Sequence, residues 1–238
     1  AFYTLSLHDA LPISQAGALL LTDGVFSMDG DLAPLPALAA AAAAHGAWLV
    51  VDDAHGLGVL GANGGGSLEH FGLDANAVPV LVGTLGKAFG SFGAFVAGDA
   101  DLVDWLVQRA RTYIYTTALP QPVAAATRAA LRLVRDEPWR RTHLATLVAR
   151  FRAAARAEGL ALLDSTTPIQ PVICGDAGAA LAASAALRAA GFWVGAIRPP
   201  TVPEGTARLR ITLSATHREA DVDALVVAVA RARDRSAA

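Results

Sequence analysis

The sequence predicts an α/β fold: a mainly parallel sheet with crossover helices, followed by a smaller α+β domain at the C-terminal end. Two observations support this class. In the first half, short apolar runs alternate with glycine-rich loops and a long alanine-rich stretch, as in parallel strands joined by helices. From Leu160 onward, shorter strand-like and helix-like segments alternate. We therefore predict a partial large domain over residues 15–139 and a small domain over residues 140–238.

The first domain begins with a predicted strand that runs into a glycine-containing loop. After it, Pro34 and Pro36 favour a helix start, the alanine run continues the helix, and Gly46 ends it. The predicted strands of this domain are Ala18–Leu21, Ala47–Val51, Val78–Val82 and Gly93–Ala97, the last three expected to be buried. Its predicted helices after the sheet are Asp99–Arg111, Pro122–Arg135 and, leading into the second domain, Pro138–Glu158.

The second domain combines short strands with two further helices. The predicted strands are Leu160–Leu163, Pro171–Cys174, Trp193–Ile197 and Ala207–Leu213. The predicted helices are Gly178–Ala190 and Glu219–Ala232, the latter with its apolar residues on one stripe.

Composition excludes several functional classes. The formal net charge is −2, which gives no electrostatic case for nucleic-acid binding. The lone Cys174 cannot form an internal disulfide and suits a reducing compartment. Ala37–Val51, the most apolar stretch, is too short to cross a bilayer. We therefore expect a soluble, cytoplasmic protein that does not engage a membrane.

The start of the chain is unusual. It opens on Ala1, and the only methionine is Met28, inside a predicted loop. Residues 1–14 lack the periodicity that marks the rest of the chain. We interpret them as a non-native leader of a truncated fragment and exclude them from the fold prediction.

Lys87 is the only lysine among nineteen basic residues; the other eighteen are arginine. An amine has a tunable pKa and, in its unprotonated form, can make a Schiff base, which a guanidinium cannot do. Lys87 also follows a glycine-flanked turn after a predicted strand, where α/β proteins place ligands. A solvated loop lysine is the plainer alternative, but the absence of any other lysine favours chemistry.

Three predicted strand ends converge on one edge of the sheet. They are Thr22–Ser27, Asp52–His55 and Thr84–Lys87, and the carboxyl ends of parallel strands share an edge. Together they offer an amine, carboxylates, an imidazole and hydroxyls. This set suits an electron-sink cofactor held through a Schiff base, with a carboxylate on its pyridinium nitrogen.

Each of these residues also has a plainer interpretation. Asp52 and Asp53 alone could cap a strand end, and Ser27 and Thr84 could serve turns. Thr116 and Thr117 could be plain strand residues of the β-branched and aromatic segment Tyr113–Thr117. A metal at His55 is disfavoured because no second histidine or cysteine stands at ligand spacing. A phosphate-binding P-loop around the lysine fails because Leu81 and Ala88 occupy its required positions, and the Gly56-Leu-Gly58 loop lacks the dinucleotide-binding spacing.

Four motifs, in order, resemble one family. They are TDGVFSMDGD from Thr22, VDDAHGLG from Val51, GTLGKAFG from Gly83, and AIRPPTVP from Ala196 followed by GTARLRIT from Gly205. This combination is similar to the α-oxoamine synthases, pyridoxal-phosphate (PLP) enzymes of the aspartate aminotransferase fold. The resemblance implies the type I PLP-dependent transferase fold, an acyltransferase activity and PLP as cofactor.

The resemblance also implies a role for individual residues. Lys87 would bind the cofactor covalently and then remove the substrate α-proton, with His55 as the second catalytic residue. The implied cofactor contacts besides Lys87 are Asp52 on the pyridinium nitrogen, His55 and Ser27 near the phenolic oxygen, and Thr84, Thr116 and Thr117 at the phosphate, the last two reaching the neighbouring subunit of a homodimer. The implied substrate contacts are Arg198, on the amino acid carboxylate, and Thr201; no metal is implied.

The fourth motif is most similar to the family member that serves biotin biosynthesis. That member condenses L-alanine with a pimeloyl thioester, carried by coenzyme A or a carrier protein, and releases carbon dioxide. Two alternatives stay open: a family member that uses glycine, and an inactive fragment without cofactor chemistry. Relatives are expected to be longer at the N-terminus, where they carry a histidine that stacks on the cofactor ring.

Overall fold

The computed structural model describes residues 17–236, which form two units. The first unit comprises residues 17–25 and 32–138, and the second comprises residues 26–31 and 139–236. The predicted leader, residues 1–14, lies outside the described residues. No helix in the described part of the chain is both long and apolar enough to cross a membrane.

The first unit is built on a four-stranded sheet. Its strands are β1 (Leu19–Asp23), β2 (Trp48–Asp52), β3 (Val80–Thr84) and β4 (Ala94–Ala97), in the order β1-β2-β3-β4. The first three strands are parallel, and β4 pairs antiparallel with β3. The predicted mainly parallel sheet is thereby confirmed.

Five helices accompany this sheet in the described residues: α1 (Leu35–Ala44), α2 (Gly66–Phe71), α3 (Ala100–Arg109), α4 (Arg111–Ile114) and α5 (Gln121–Asp136). Helix α1 has proline in its first turn, and the chain leaves it through Gly46 at a φ of +60°. Helix α3 begins at Asp99, whose side chain accepts a hydrogen bond from the Leu102 amide. Helix α2 was not predicted, because its six residues follow a run of glycines.

One face of this sheet is buried and the other is largely open. Leu49 and Val51 are fully buried on the face where α1 packs against β2. On the opposite face, Leu19 and Trp48 are exposed, although they lie opposite each other as the first residues of a parallel pair. Strand β4 was predicted to be buried, and this was wrong: Val96 is exposed, because β4 is one of the two edge strands of the sheet.

The segment that carries Thr116 and Thr117 does not form a strand. Helix α4 covers its first residues, and the two threonines lie in irregular, exposed chain before α5. The alternative interpretation of Thr116 and Thr117 as strand residues is therefore wrong. No strand is paired with this segment in the described residues, so its β-branched and aromatic composition had no sheet to join.

The second unit packs three helices on an antiparallel sheet. The strands are β5 (Ile169–Gly175), β6 (Gly195–Ile197) and β7 (Ala207–Thr212), in the order β5-β7-β6. The helices are α6 (Trp139–Ala157), α7 (Ala177–Ala189) and α8 (Glu219–Ser236). Its core contains fully buried side chains from most of these elements: Leu147, Phe151, Leu187, Leu209 and Val226.

The predicted strand Leu160–Leu163 is reduced to a single bridge. Leu162 pairs with Val172, and the amide of Ile173 donates to the carbonyl of Ala161. Pairing stops there because the chain bends at Asp164, and no further residue of this segment continues the ladder.

Residues 26–31 belong to the second unit through polar contacts. The hydroxyls of Ser165 and Thr167 donate to the carbonyl of Gly30 at 2.8 and 3.0 Å, and Arg208 forms an ion pair with Asp29. Gly30 has a φ of +72°, and a Cβ there would overlap the carbonyl of Ile169. This turn therefore requires glycine.

Candidate functional site

The candidate site begins where β1, β2 and β3 end together. Asp23 lies opposite Asp52 in the parallel register, and Asp52 lies opposite Val82. Two backbone hydrogen bonds extend this alignment past the strand ends: the Gly24 amide donates to Asp52, and the Asp53 amide donates to Val82. The polar residues after each strand therefore start from one edge of the sheet.

Lys87 and His55 meet at this edge. Their Nζ and Nε2 atoms are 2.9 Å apart, although 32 positions separate the residues in the chain. When the Lys87 ammonium donates, the His55 Nε2 accepts, and the imidazole carries its proton on Nδ1. This contact joins the β2 end to the loop between β3 and β4.

The loop that carries Lys87 is fixed by its own backbone. The Leu85 amide donates to Gly93 and the Ser91 amide donates to Leu85, which closes the loop at its base. The Gly90 amide donates to the Lys87 carbonyl, and Gly90 has a φ of +57°. The glycines noted in the sequence thus serve a tight turn that holds the lysine at the strand end.

Two carboxylates, Asp23 and Asp52, lie opposite each other at the ends of β1 and β2. Asp52 accepts a hydrogen bond from the Ala54 amide at 2.9 Å, which shapes the turn toward His55. Burial raises the pKa of the Asp23 carboxyl, the neighbouring Asp52 charge raises it further, and the Lys87 charge partly offsets both. Asp23 was not predicted as a site residue; its place at the end of β1, within the Thr22–Ser27 loop, was the available signal.

Thr84 already serves the turn. Its hydroxyl donates to the Gly93 carbonyl at 3.2 Å and accepts from the Gly86 amide at 3.3 Å. Thr116 and Thr117 belong to the same unit and are exposed. The turn-capping interpretation of Thr84 is therefore satisfied by the structure, and its predicted phosphate contact, like those of Thr116 and Thr117, stays a prediction.

Three predicted site residues lie in the second unit. The Ser27 carbonyl accepts a hydrogen bond from Nε of Arg210 at 2.6 Å. Arg198 and Thr201 are both exposed, and the Thr201 amide donates to the Arg198 carbonyl across the two intervening prolines. Arg210, whose pKa is lowered by burial, was not predicted from the sequence.

The donor set at the sheet edge fits PLP chemically. A primary amine is what an aldehyde requires, and a carboxylate is what a pyridinium nitrogen requires. Lys87 supplies the first, Asp52 the second, and the His55 imidazole can hydrogen-bond a phenolic oxygen. Within residues 17–236, no group of three or more His, Cys, Asp or Glu residues is arranged to hold a metal ion.

Comparison with known proteins decides the family. The family model described as aminotransferase class I and II matches residues 6–229. The chain belongs to the class I and II aminotransferase family. The predicted aminotransferase-type fold is thereby confirmed.

Two curated relatives of this aminotransferase-family chain share a name. The 8-amino-7-oxononanoate synthase of Pseudomonas aeruginosa (strain LESB58) is 61% identical over 224 residues, 94% of this chain and 56% of that protein. The enzyme of the same name from Thioalkalivibrio sulfidiphilus is 64% identical over 92% of this chain. The chain spans about 56% of the length of these relatives. Their names agree with the resemblance predicted from the four motifs.

Solved structures of the same fold are also similar. A structure of SPT (serine palmitoyltransferase) with a PLP internal aldimine has a TM-score of 0.91 and 30% identity. The match covers 98% of this chain and 60% of that one. The 8-amino-7-oxononanoate synthase from Francisella tularensis has a TM-score of 0.82 and 29% identity, over 93% of this chain and 64% of that one.

Proposed function

We propose that this chain carries the cofactor-binding lysine and its partners in a PLP-dependent acyltransferase of biotin biosynthesis. The proposed reaction joins L-alanine to a pimeloyl thioester of coenzyme A or a carrier protein, giving 8-amino-7-oxononanoate, carbon dioxide and the free thiol. A carbon–carbon bond to the acyl carbon forms as the thiol leaves, and the bond from the alanine α-carbon to its carboxylate breaks. The observation that carries the proposal is the 2.9 Å contact between Lys87 and His55, in the turn that follows Asp52 at the end of β2.

Each residue of the set has a definite task. Bound PLP would supply an electron sink for the pair released when a bond to the α-carbon breaks. Lys87 would hold the cofactor covalently and, once released from it as a free unprotonated amine, would take the alanine α-proton. Asp52 would stabilise a proton on the pyridinium nitrogen, because opposite charges attract. His55, whose Nε2 lies 2.9 Å from the Lys87 Nζ, would hydrogen-bond the phenolic oxygen of the cofactor.

The second unit supplies the proposed substrate contacts. Arg198 is exposed, and its guanidinium has the planar fork that suits the carboxylate of the amino acid. Thr201 comes after it in the same turn, and Ser27 is proposed to contact the cofactor's phenolic oxygen. These assignments rest on the motif resemblance together with the identity to the named relatives.

We further propose a homodimer that works in the cytoplasm. Helices α3 and α4 contain no buried side chain in the described structure, yet they expose Trp105, Tyr113 and Ile114. An exposed apolar segment of this kind is typical of an interface. Thr116 and Thr117 follow α4 in the chain. The family resemblance implies that both contact the cofactor phosphate in the neighbouring subunit.

Labelling tests the cofactor proposal directly. Adding PLP to the chain should give a visible absorbance band, and borohydride should then fix the cofactor on Lys87, as read by peptide mass. Because Lys87 is the only lysine, the α-amino group is the one competing primary amine, and the peptide map separates the two. Lys87→Arg is the matched control, since it keeps the charge but cannot form the linkage.

The outcome also separates the alternatives. A folded sample that shows neither band nor label supports an inactive chain without cofactor chemistry. With the band present, L-alanine should perturb it more strongly than glycine; the reverse order supports a glycine-using family member. Release of free thiol from pimeloyl-coenzyme A in the presence of L-alanine completes the test.

A further inference from the structure

A buried carboxylate lies one residue from Asp52. Asp53 is completely buried, and its side chain accepts two hydrogen bonds from one residue of α2: from the Ser67 amide at 2.8 Å and from the Ser67 hydroxyl at 2.7 Å. Burial raises the pKa of Asp53, and the two bonds from Ser67 act against this increase. Ser67 is also completely buried, so neither partner has solvent as an alternative.

The backbone closes around this carboxylate from three segments. A Cβ on Gly24, Gly56 or Gly66 would overlap the Asp53 side chain, and these glycines lie after β1, after β2 and at the start of α2. Gly66 has a φ of +83°, which also favours glycine. The chain thus approaches Asp53 more closely than any side chain would permit.

Asp53 also builds the turn that carries His55. Its carbonyl accepts from the amides of Gly56 and Leu57 at 3.1 and 3.0 Å, and its own amide donates to Val82. The side chain fixes this turn to α2, while the backbone fixes it to β3. His55 projects from the middle of the turn toward Lys87.

We propose that Asp53 and Ser67 are positioning residues that hold the His55 imidazole against Lys87. The significance for catalysis rests on the proposed function, but the positioning itself is a property of the polypeptide alone. Neither residue contacts the amine; both act through the Asp53–Leu57 turn. Hydrogen-bond geometry, rather than the charge of Asp53, performs this task, since both bonds run to a single serine.

Three variants separate the effect of the hydrogen bonds from the effect of the Asp53 charge. Ser67→Ala removes the hydroxyl donor and leaves the amide. Asp53→Asn removes the charge but keeps the shape, because the amide oxygen accepts from the Ser67 amide while its nitrogen donates to the Ser67 hydroxyl. Ser184→Ala is the control: it removes a comparable hydroxyl, which donates to the Val194 carbonyl at 2.6 Å in the second unit.

Two measurements are made on each variant. The ¹⁵N resonances of the His55 ring, recorded without cofactor, report its contact with Lys87, and absorbance titration with PLP gives cofactor affinity. We expect Ser67→Ala to shift the His55 Nε2 resonance and to weaken PLP affinity by roughly tenfold, the effect of one lost buried hydrogen bond. Asp53→Asn should stay within about threefold of the parent chain, and Ser184→Ala should change neither reading.

The opposite pattern overturns the proposal. An unchanged His55 resonance in folded Ser67→Ala shows that the hydrogen bonds between Asp53 and Ser67 do not position the imidazole. A shift in Asp53→Asn larger than that in Ser67→Ala shows that charge matters more than geometry. If the parent chain does not bind PLP, the proposed function fails, and the cofactor-free resonances alone still decide the positioning role.

Discussion

Asp23 shows how a single charge responds to its neighbours. It lies opposite Asp52 in the parallel pair. Burial and the Asp52 charge raise the pKa of Asp23 by more than the Lys87 charge lowers it. The folded chain therefore binds this proton more tightly than the unfolded chain. The contribution of Asp23 to stability is therefore most favourable while Asp23 is protonated, and it falls as pH rises from the unfolded pKa through the folded one.

The first prediction concerns this carboxylate. The side chain in Asp23→Asn cannot ionise. The free energy of unfolding of this variant should therefore increase relative to that of the parent chain as pH rises from about 4 toward neutrality. Urea midpoints across that range check it. Asp74→Asn, measured at and below about pH 5, is a control of opposite sign, because hydrogen bonds from the Ala77 amide and from Asn76 lower the pKa of Asp74. A constant difference between Asp23→Asn and the parent at every pH would contradict the prediction.

Gly30 gives a second prediction at the residue scale. Gly30→Ala should destabilise the second unit by about 2–5 kcal/mol, because it adds left-handed strain to a steric clash with Ile169 and Ser165. Gly191→Ala, at a φ of +89° with open space around it, should cost only about 1–2 kcal/mol. Chemical denaturation measures both. Equal losses would show that the clash relaxes without cost.

Some site residues could be predicted from the sequence and others could not. Lys87 was identified because it is the only lysine, and His55 because it comes after a strand end with two acids. The roles of Asp23 and Ser67 depend on strand register and on a contact across 14 positions, which residue spacing does not reveal. Arg210 resembles any other strand residue until the turn that carries Ser27 is seen beside it.

At the scale of elements, two helices begin with the same kind of N-cap, an aspartate side chain, in different surroundings. Asp176 caps α7 by accepting from the Ala179 amide at 2.8 Å, and Asp99 caps α3 with a 2.7 Å bond. Helix α7 buries Ala180, Ala183 and Leu187, whereas α3 buries no side chain. The same lost bond should therefore have different consequences.

This contrast yields a prediction. Asp176→Ala should lower the free energy of unfolding by about 1 kcal/mol, the usual value of a helix cap, because α7 unfolds with its core. Asp99→Ala should leave that free energy nearly unchanged and instead speed hydrogen exchange in the first turn of α3. Denaturation and amide exchange are measured on both variants. Equal stability losses in the two helices would refute the distinction.

Element prediction succeeded where periodicity was clear. The alternation of short apolar runs, proline and glycine predicted β1, β2, β3 and α1 to within about two residues of their bounds. It failed for α2, which is too short to show a period. It also failed for the Leu160–Leu163 strand, since a strand depends on a distant partner as much as on its own residues.

At the scale of the whole molecule, the proposed dimer can be tested with a matched pair of exposed aromatics. Tyr115 beside α4 is 76% exposed and Trp193 in the second unit is 82% exposed, and each has an arginine over its ring. Tyr115→Asp should shift sedimentation from dimer toward monomer, because it places a charge in the proposed interface. Trp193→Asp should not. A monomeric parent chain, or equal dissociation in both variants, would exclude this interface.

The six residues 26–31 have a practical consequence for dividing the molecule. A cut after Pro138 separates the polypeptide neatly but takes from the C-terminal piece a turn that it holds by its own side chains. The excised piece would keep the Ser165 and Thr167 hydroxyls and the Arg208 guanidinium without Gly30 or Asp29 to receive them. For residues 139–238 to fold alone, this hexapeptide would therefore have to be grafted back. The second unit is made of two separate segments of the chain, so no single cut separates it from the first.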